Sequence, residues 1–317
     1  MAEISAVIPT RNRRRVLKLS LLSALRQRDV DIEVIVVDDA STDDTVTMVS
    51  GLHDGRVRLV SDDVARGVSA TRNRGIAEAN GEWIAFLDDD DVWAPTKLAR
   101  QIDVMVARGR TWSYAGDVMV DGELNILAGG PPPPPDEVVR LLERHNSVPA
   151  GASNIIVDAA ALAAAGPFDP ELTSHEDWDM WIRLARGGPP DWVCSPLVAI
   201  SYHRHNASRD MAAMIRQLDV VAERYGMRVD RARHYRWAAW NALLEGHRSD
   251  AARNYARAVA AGDVRSLARG AVAILRPGFA IRRARPNDPG ERDPWIAEAR
   301  AWLDALAHAE SDPCDNV

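Results

Sequence analysis

Apolar positions in the first hundred residues follow two alternating periods. Ile4-Ser5-Ala6-Val7-Ile8 is a short apolar run that predicts a strand. Val16, Leu17, Leu21, Ala24 and Leu25 share one face of a helix expected over residues 16–26. Residues 32–37 (IEVIVV) are almost wholly β-branched, as in a parallel strand covered on both faces. Ser41, Thr42 and Asp43 offer an N-cap and an acidic first turn to a helix reaching Gly51. A strand at 57–60, a helix at 68–79 and a strand at 83–87 continue the rhythm. The alternation predicts an α/β fold built on a Rossmann-like, doubly wound, mostly parallel sheet. Ligands of such sheets bind beyond the carboxyl ends of the strands.

The middle of the chain is less regular. Gly129-Gly130 and the proline run 131–135 fit neither a helix nor a central strand, and predict a stiff extended crossing or a loop. Helices are expected at 136–144 and 159–165, with a strand between them at 154–157. An amphipathic helix over 176–185 and a strand over 192–202 follow. From residue 210 the pattern is helical and rich in Ala and Arg, so the chain divides into a domain over 1–209 and a helical C-terminal region over 210–317. Within that region Trp240, Leu243, Gly246, Ala251, Tyr255 and Ala258 have the spacing of one tetratricopeptide-like helix pair. Stable arrays need about three repeats, so this reads as an appendage that shapes the acceptor site or forms a homodimer contact.

Charge narrows the function classes. The 317 residues carry 39 Lys and Arg against 46 Asp and Glu, a net −7, which argues against a nucleic-acid partner. No uncharged apolar run approaches the roughly 18–20 residues of a bilayer span, and the N-terminus has no leader-like pattern. Cys194 and Cys314 lie far apart with no metal-ligand spacing, so neither a disulfide scaffold nor a zinc site is expected. The expected location is cytoplasmic, with the inner face of the membrane as an option. Arg265, Arg269, Arg276, Arg282, Arg283 and Arg285 surround the apolar pieces AVAIL and GFAI. Two readings stay open there: solvated arginines on a packed helix, or a peripheral membrane contact with anionic lipid.

The strand ends carry the chemistry. The loop after strand one reads Pro9-Thr10-Arg11-Asn12-Arg13, with no dinucleotide glycine fingerprint, and the chain contains no P-loop. Strand two ends in Asp38-Asp39, where an acid meets a ribose hydroxyl in related sheets. Asp88-Asp89-Asp90-Asp91 follows the apolar strand EWIAFL directly. Four adjacent carboxylates at a buried strand end raise one another's pKa unless a cation is present. Magnesium or manganese, taking carboxylates together with substrate phosphates, resolves that repulsion; a helix N-cap needs only one or two acids. In His175-Glu176-Asp177-Trp178-Asp179-Met180-Trp181 the tryptophans follow helical spacing and read as core. Glu176 and Asp177 at the helix start serve as caps or as a general base, and spacing alone does not choose.

PTRNR, then VIVVDDASTDDT, then GVSATRNRGIAEANGEWIAFLDDDDVW, then HEDWDMWIRLA, together resemble the family 2 inverting glycosyltransferases of the GT-A fold. The four blocks stand in family order over about residues 4–186. The resemblance implies that Pro9, Thr10 and Arg11 hold the nucleoside of a nucleotide-sugar, with Asp39 on base or ribose and Arg72 supporting base or diphosphate. Asp38 is read as structural and Arg74 as a weaker alternative to Arg72. It further implies Asp90 and Asp88 as metal ligands for Mn2+ or Mg2+, and Asp89 facing the sugar or ribose hydroxyls. Asp177 matches the catalytic base, with Glu176 beside it. Gly151-Ala152-Ser153-Asn154 resembles a segment lining the sugar and acceptor pocket, and Gly166-Pro167-Phe168-Asp169 a structural turn. In Tyr202-His203-Arg204-His205, the family pattern puts His205 at the metal or diphosphate, with Arg204 as runner-up.

The implied activity is metal-dependent, inverting transfer from a nucleotide-sugar donor, UDP- or dTDP-linked. The acceptor class stays open among glycan, lipid-linked, small-molecule and peptide nucleophiles. The alternative is a non-catalytic nucleotide-sugar-binding or assembly protein with the helical tail as its interaction module.

Overall fold

Every residue of β1 (Ile4–Thr10) is buried, and so are nearly all of β2 (Ile32–Asp39), as their β-branched sequences require. The protein is seen in a computed structural model, which describes residues 3–202, 211–275 and 293–311. β1 and β2 pair in parallel with each other, β2 with β3 (Val57–Asp62), and β1 with β4 (Trp83–Phe86). Helices α1 (Arg14–Leu25), α2 (Thr45–Ser50) and α3 (Val68–Glu78) connect them. This parallel block is the doubly wound half that the apolar rhythm predicts.

Beyond β4 the sheet becomes mixed. After β5 (Val92–Trp93) and α4 (Lys97–Arg108) come β6 (Trp112–Val120) and β7 (Ile126–Gly130). α5 (Pro135–Leu142), a 3-10 turn at Gly151–Asn154, β8 (Ile156–Asp158) and α6 (Ala159–Ala165) follow. α7 (Glu176–Gly187) and β9 (Asp191–Ser201) complete the run. The nine strands lie in the order β3-β2-β1-β4-β8-β6-β9-β5, with β7 paired to β6. β8 is antiparallel to both β4 and β6, whereas β6 and β9 are parallel.

Three local expectations change. Gly129 and Gly130 end β7, where glycine is tolerated because, among the described residues, β7 pairs only with β6. Pro135 opens α5, a position at which the missing N–H costs nothing. Asn154 belongs to the 3-10 turn instead of a strand; its side chain bonds both the amide and the carbonyl of Ala115.

The chain forms two compact units. Of the described residues, the first comprises 3–142, 146–202 and 293–311, and the second 143–145 and 211–275. α7 anchors the first unit through Trp178 and Trp181, both fully buried; Trp181 stacks on Trp112 with ring centroids 6.4 Å apart. α3 lies so close to the sheet that a Cβ on Gly75 would come within 2.3 Å of Val7. The second unit contains α8 (Met211–Tyr225), α9 (Arg231–Leu244), α10 (Arg248–Ala260) and α11 (Ser266–Leu275). Ala239, Leu243, Ala251, Tyr255 and Ala273 form its core. The last helix, α12 (Pro294–Ser311), departs from the expected single helical region 210–317. Ile296, Ala299, Leu303 and Leu306 cover Val118 and Val120 of β6, so α12 belongs to the first unit.

Candidate active site

The loops after β1, β2 and β4 meet at the carboxyl ends of the parallel strands. Asn12, held in the left-handed region at φ 54°, stitches the first two together. Its Oδ1 accepts from the Thr42 amide at 2.7 Å, and its own amide donates to Ser41 Oγ at 2.8 Å. Asp38 accepts from the Ser41 amide. Asp39 accepts from the amides of Arg66 and Gly67 at 2.6 and 3.1 Å, fixing the turn that launches α3. Both acids of the pair therefore anchor loops. Pro9 is buried in β1, and Arg11 is exposed.

The acidic run alternates in direction. Asp89 is buried and accepts a 2.7 Å hydrogen bond from the Thr10 hydroxyl, while burial pushes its pKa up to about 7. Asp91 is buried as well, accepting from Ser153 Oγ at 2.5 Å and from the Ser201 amide at 3.0 Å; burial raises its pKa. Asp88 and Asp90 stay partly open, with side chains 36% and 17% exposed. Arg13 stands 3.6 Å from Asp90. Thr10 and Asp89, both expected at the donor, thus turn toward each other beneath the loop.

Arg72 is the centre of the site. Its guanidinium is buried, donating through Nη2 to Asp88 at 2.7 Å and through Nη1 to Glu176 at 2.8 Å. The two carboxylates outweigh burial and raise its pKa further, so it is a permanent cation. It also lies 5.4 Å from the Phe168 ring centre. One side chain thereby ties the acidic loop to the head of α7, sites 88 residues apart in sequence (88 to 176). Arg74, the alternative, is half-exposed and paired with Glu78.

His175 precedes α7 in the left-handed region, φ 64°, and turns the chain so that Glu176 and Asp177 occupy the first helical turn. Asp177 Oδ1 accepts from the Trp178 amide at 2.7 Å, and Oδ2 from Asn146 Nδ2 at 2.8 Å. Burial and the neighbouring Glu176 push the Asp177 pKa up to about 7, against the pull of Arg72. Gly151 faces it at φ +51°; a Cβ there would stand 3.2 Å from Oδ2. Glycine is thus required both by backbone and by access to the carboxylate.

Asn146 and Asn12 were given no role in the sequence reading, and the bond from Ser153 to Asp91 was not read there. Asn and Ser in loops carry too common a signal, although Ser153 stood inside the GASN block. Among the described residues no group of three or more His, Cys, Asp or Glu is arranged for a metal. Asp88 and Asp90 nonetheless supply two accessible hard oxygen donors, the set that fits a cation completing its shell with substrate phosphates and water. His203, Arg204 and His205 lie outside the described residues.

Residues 5–121 match the model of glycosyl transferase family 2. The match spans 117 of the 317 residues. The matched stretch contains Thr10, Asp39, Arg72 and the acidic run, and ends before Glu176 and Asp177. The chain is 25% identical over 223 residues to the Escherichia coli UDP-Glc:alpha-D-GlcNAc-diphosphoundecaprenol beta-1,3-glucosyltransferase WfgD, covering 69% of this chain and 85% of that one. It is 41% identical over 107 residues to the succinoglycan biosynthesis protein ExoO of Rhizobium meliloti, 34% of this chain and 31% of that protein. The fold is that of S. aureus TarS 1-349 in its complex with UDP-GlcNAc, with a TM-score of 0.57 and 16% identity over 89% of this chain and 90% of the other.

Proposed function

We propose that this glycosyltransferase moves a sugar from a UDP-sugar to an acceptor hydroxyl by direct displacement, with inversion at the anomeric carbon. The carrying observation is the buried Arg72, which joins Asp88 of the acidic loop to Glu176 beside Asp177. Leaving-group chemistry and base chemistry are thereby held in one constellation. UDP is favoured over dTDP because WfgD is named for UDP-Glc and TarS binds UDP-GlcNAc. A lipid-linked saccharide is the favoured acceptor, by analogy with the diphosphoundecaprenol in WfgD's name, and that analogy supports work at the cytoplasmic face of a membrane. No described helix is long and apolar enough to cross one.

In the proposed reaction Asp177, ionised, takes the proton of the acceptor O–H. The oxygen attacks C1 of the sugar, and the bond from C1 to the diphosphate breaks with its electron pair leaving on phosphate. Asn146 and the Trp178 amide hold the carboxylate in place. Asp90 and Asp88 would hold a divalent cation, which would supply charge neutralisation for the departing diphosphate. Arg72 keeps Asp88 and Glu176 compensated while the site is empty.

Calorimetric titration with UDP, dTDP and GDP, with and without manganese, on the wild type and Asp90→Asn tests the donor site. Metal-dependent UDP binding that is lost in Asp90→Asn is expected. Metal-independent binding would remove the acidic loop from the mechanism, and no binding by folded protein would turn the reading toward a non-catalytic role. A product retaining the donor's anomeric configuration would refute direct displacement.

A further inference from the structure

β6 changes the face it presents part-way along its length. The irregularity between Ala115 and Asp117 puts two consecutive residues on the side of α12: Ala115 packs in a cluster with Trp302, and a Cβ on Gly116 would come within 2.2 Å of Trp295. Val118 and Val120 lie on that side too, with Ile296 and Leu303. Asp117, between Gly116 and Val118, therefore turns to the opposite face. It is in register with Val198, and Val198 with Trp93, whose Nε1 donates to the Ser153 carbonyl at 2.6 Å. That face looks onto the 3-10 turn Gly151–Asn154.

The same turn borders the base. Gly151 at one end faces Asp177 Oδ2, and Asn154 at the other bonds both backbone groups of Ala115, two residues before Asp117. Asp117 and Asp177 thus flank one four-residue turn. Asp117 is only partly buried. Its register partner on β7 is Gly130, so no side chain covers it from that position. The proline run that leaves β7 is fixed by the Tyr114 hydroxyl, which donates to the Pro133 carbonyl at 2.5 Å. Among the described residues the Asp117 carboxylate takes a hydrogen bond only from its own amide, and burial pushes its pKa up to about 7. A half-open acid with neither a cation nor a neighbouring donor is costly, and hydroxyl donors from a bound molecule relieve that cost.

We propose that Asp117 binds the acceptor, its carboxylate oxygens taking neighbouring hydroxyls of a saccharide so that another of its hydroxyls meets Asp177. The inference rests on the direct-displacement reading and deepens it. In direct displacement the nucleophile approaches C1 from the side opposite the diphosphate, which the loop after β4 receives through Asp88 and Asp90. Asp117 stands on β6, with β8 between it and β4. Ser153 of the turn holds the β4 loop and Asn154 holds β6, so the turn separates Asp117 from the donor's phosphates. A saccharide offers adjacent hydroxyl donors that suit the two oxygens of one carboxylate, and such charge-assisted bonds are stronger than neutral ones.

The test compares wild type with Asp117→Asn, using UDP-glucose or UDP-N-acetylglucosamine as donor and alkyl diphosphate-linked glucose, galactose or N-acetylglucosamine as acceptor. Three quantities are read: transfer to the saccharide, hydrolysis of the donor by water without a saccharide, and donor binding by calorimetry. Asparagine keeps the shape of the side chain and removes its charge. The KM for the saccharide is expected to rise about tenfold or more, the loss of a charge-assisted hydrogen bond, with kcat nearly unchanged. Donor affinity, donor hydrolysis and melting temperature should stay as in wild type. An unchanged KM for the saccharide overturns the proposal. Weakened binding of the UDP-sugar with UDP itself unaffected would overturn it in favour of a contact to the donor's sugar. A lowered melting temperature with equal losses in transfer and hydrolysis would overturn it in favour of a structural role. Wild type that hydrolyses the donor but glycosylates none of these saccharides would also overturn it. Wild type that binds neither UDP-sugar would instead sink the proposed function, and this inference with it.

Discussion

Two buried cations in the first unit live under opposite rules. Arg72, 3% exposed, is gripped by Asp88 and Glu176. Lys97, fully buried at the start of α4, has no hydrogen-bond partner for Nζ among the described residues, and the Trp93 ring lies 4.2 Å from it. Burial costs both of them the favourable solvation of the charged form. At Arg72 two carboxylates more than restore it, whereas burial drives the Lys97 pKa well below the ordinary range. The difference teaches where charge is being used. Around Arg72 it belongs to a network of acids that chemistry needs in one place, while around Lys97 the aliphatic stem fills core and the ammonium is a burden.

The sharpest way to break the comparison is Arg72→Met. Removing one partner of a buried network leaves Glu176 and part of Asp88 uncompensated, at a cost of about 3–5 kcal/mol. Chemical denaturation should show that loss, and Arg72→Lys, unable to bridge two carboxylates with one fork, should recover only part of it. A melting temperature unchanged in Arg72→Met would mean that the bridge seen between the loop and α7 contributes nothing.

Asp177→Asn separates the network's chemistry from its stability. Loss of a general base costs about 10²–10⁴-fold in rate, so kcat should fall by that factor while UDP binding persists. Stability should move the other way at neutral pH. The Asp177 pKa is raised in the folded state, so the contribution of the protonated acid is present at low pH and is lost as pH rises through about 7. Asn, neutral throughout, removes that loss. A variant that turns over normally would end the assignment of Asp177 as base.

The same raised pKa predicts an acid limb in activity. Asp177 works ionised, so kcat/KM should fall about tenfold per pH unit below an apparent pKa near 7 and level off above it. Asn146→Ala, which removes the amide bound to Oδ2, should lower kcat severalfold and move the limb to higher pH, because a hydrogen bond favouring the carboxylate is gone. Asn146→Gln, if its longer amide reaches, should restore the limb. A limb that stays put in Asn146→Ala would make that contact structural only.

What was legible in the sequence follows the range of the forces involved. The parallel half of the sheet was readable because its strands are local apolar runs, and Trp178 and Trp181 because core residues on a helix repeat with its period. The acidic run 88–91 could be singled out because clustered acids are costly without a purpose, whereas the roles of Asp88, Asp90 and Asp177 came only from the family resemblance. Direction within the run was not readable. Asp89 turns to Thr10 and Asp91 to Ser153, partners 79 and 62 positions away, and a tertiary hydrogen bond leaves no local pattern. The mixed half of the sheet escaped for the same reason. β6 and β9 are joined across the intervening α7, and the pairing of β8 with β4 depends on the loop that Ser153 and Asn154 hold.

Lys97→Met gives the smallest change and tests the other side of the comparison. Methionine keeps the length and apolar stem of lysine and removes the ammonium, so it fits the same space over Trp93. Its pKa being depressed in the folded state, neutral Lys97 is favoured by folding and its protonated form is opposed. At pH 7 the unfolded chain carries the proton and gains from it, which lowers wild-type stability. The variant should therefore be more stable by about 1–2 kcal/mol near neutrality, with kcat unchanged. The gain should shrink as pH rises toward the ordinary lysine pKa of about 10.4, where the unfolded chain loses its proton too. A gain that does not vary with pH would come from packing alone, and a loss of stability would mean that the contact with Trp93 holds the charge better than the buried, unbonded Nζ implies.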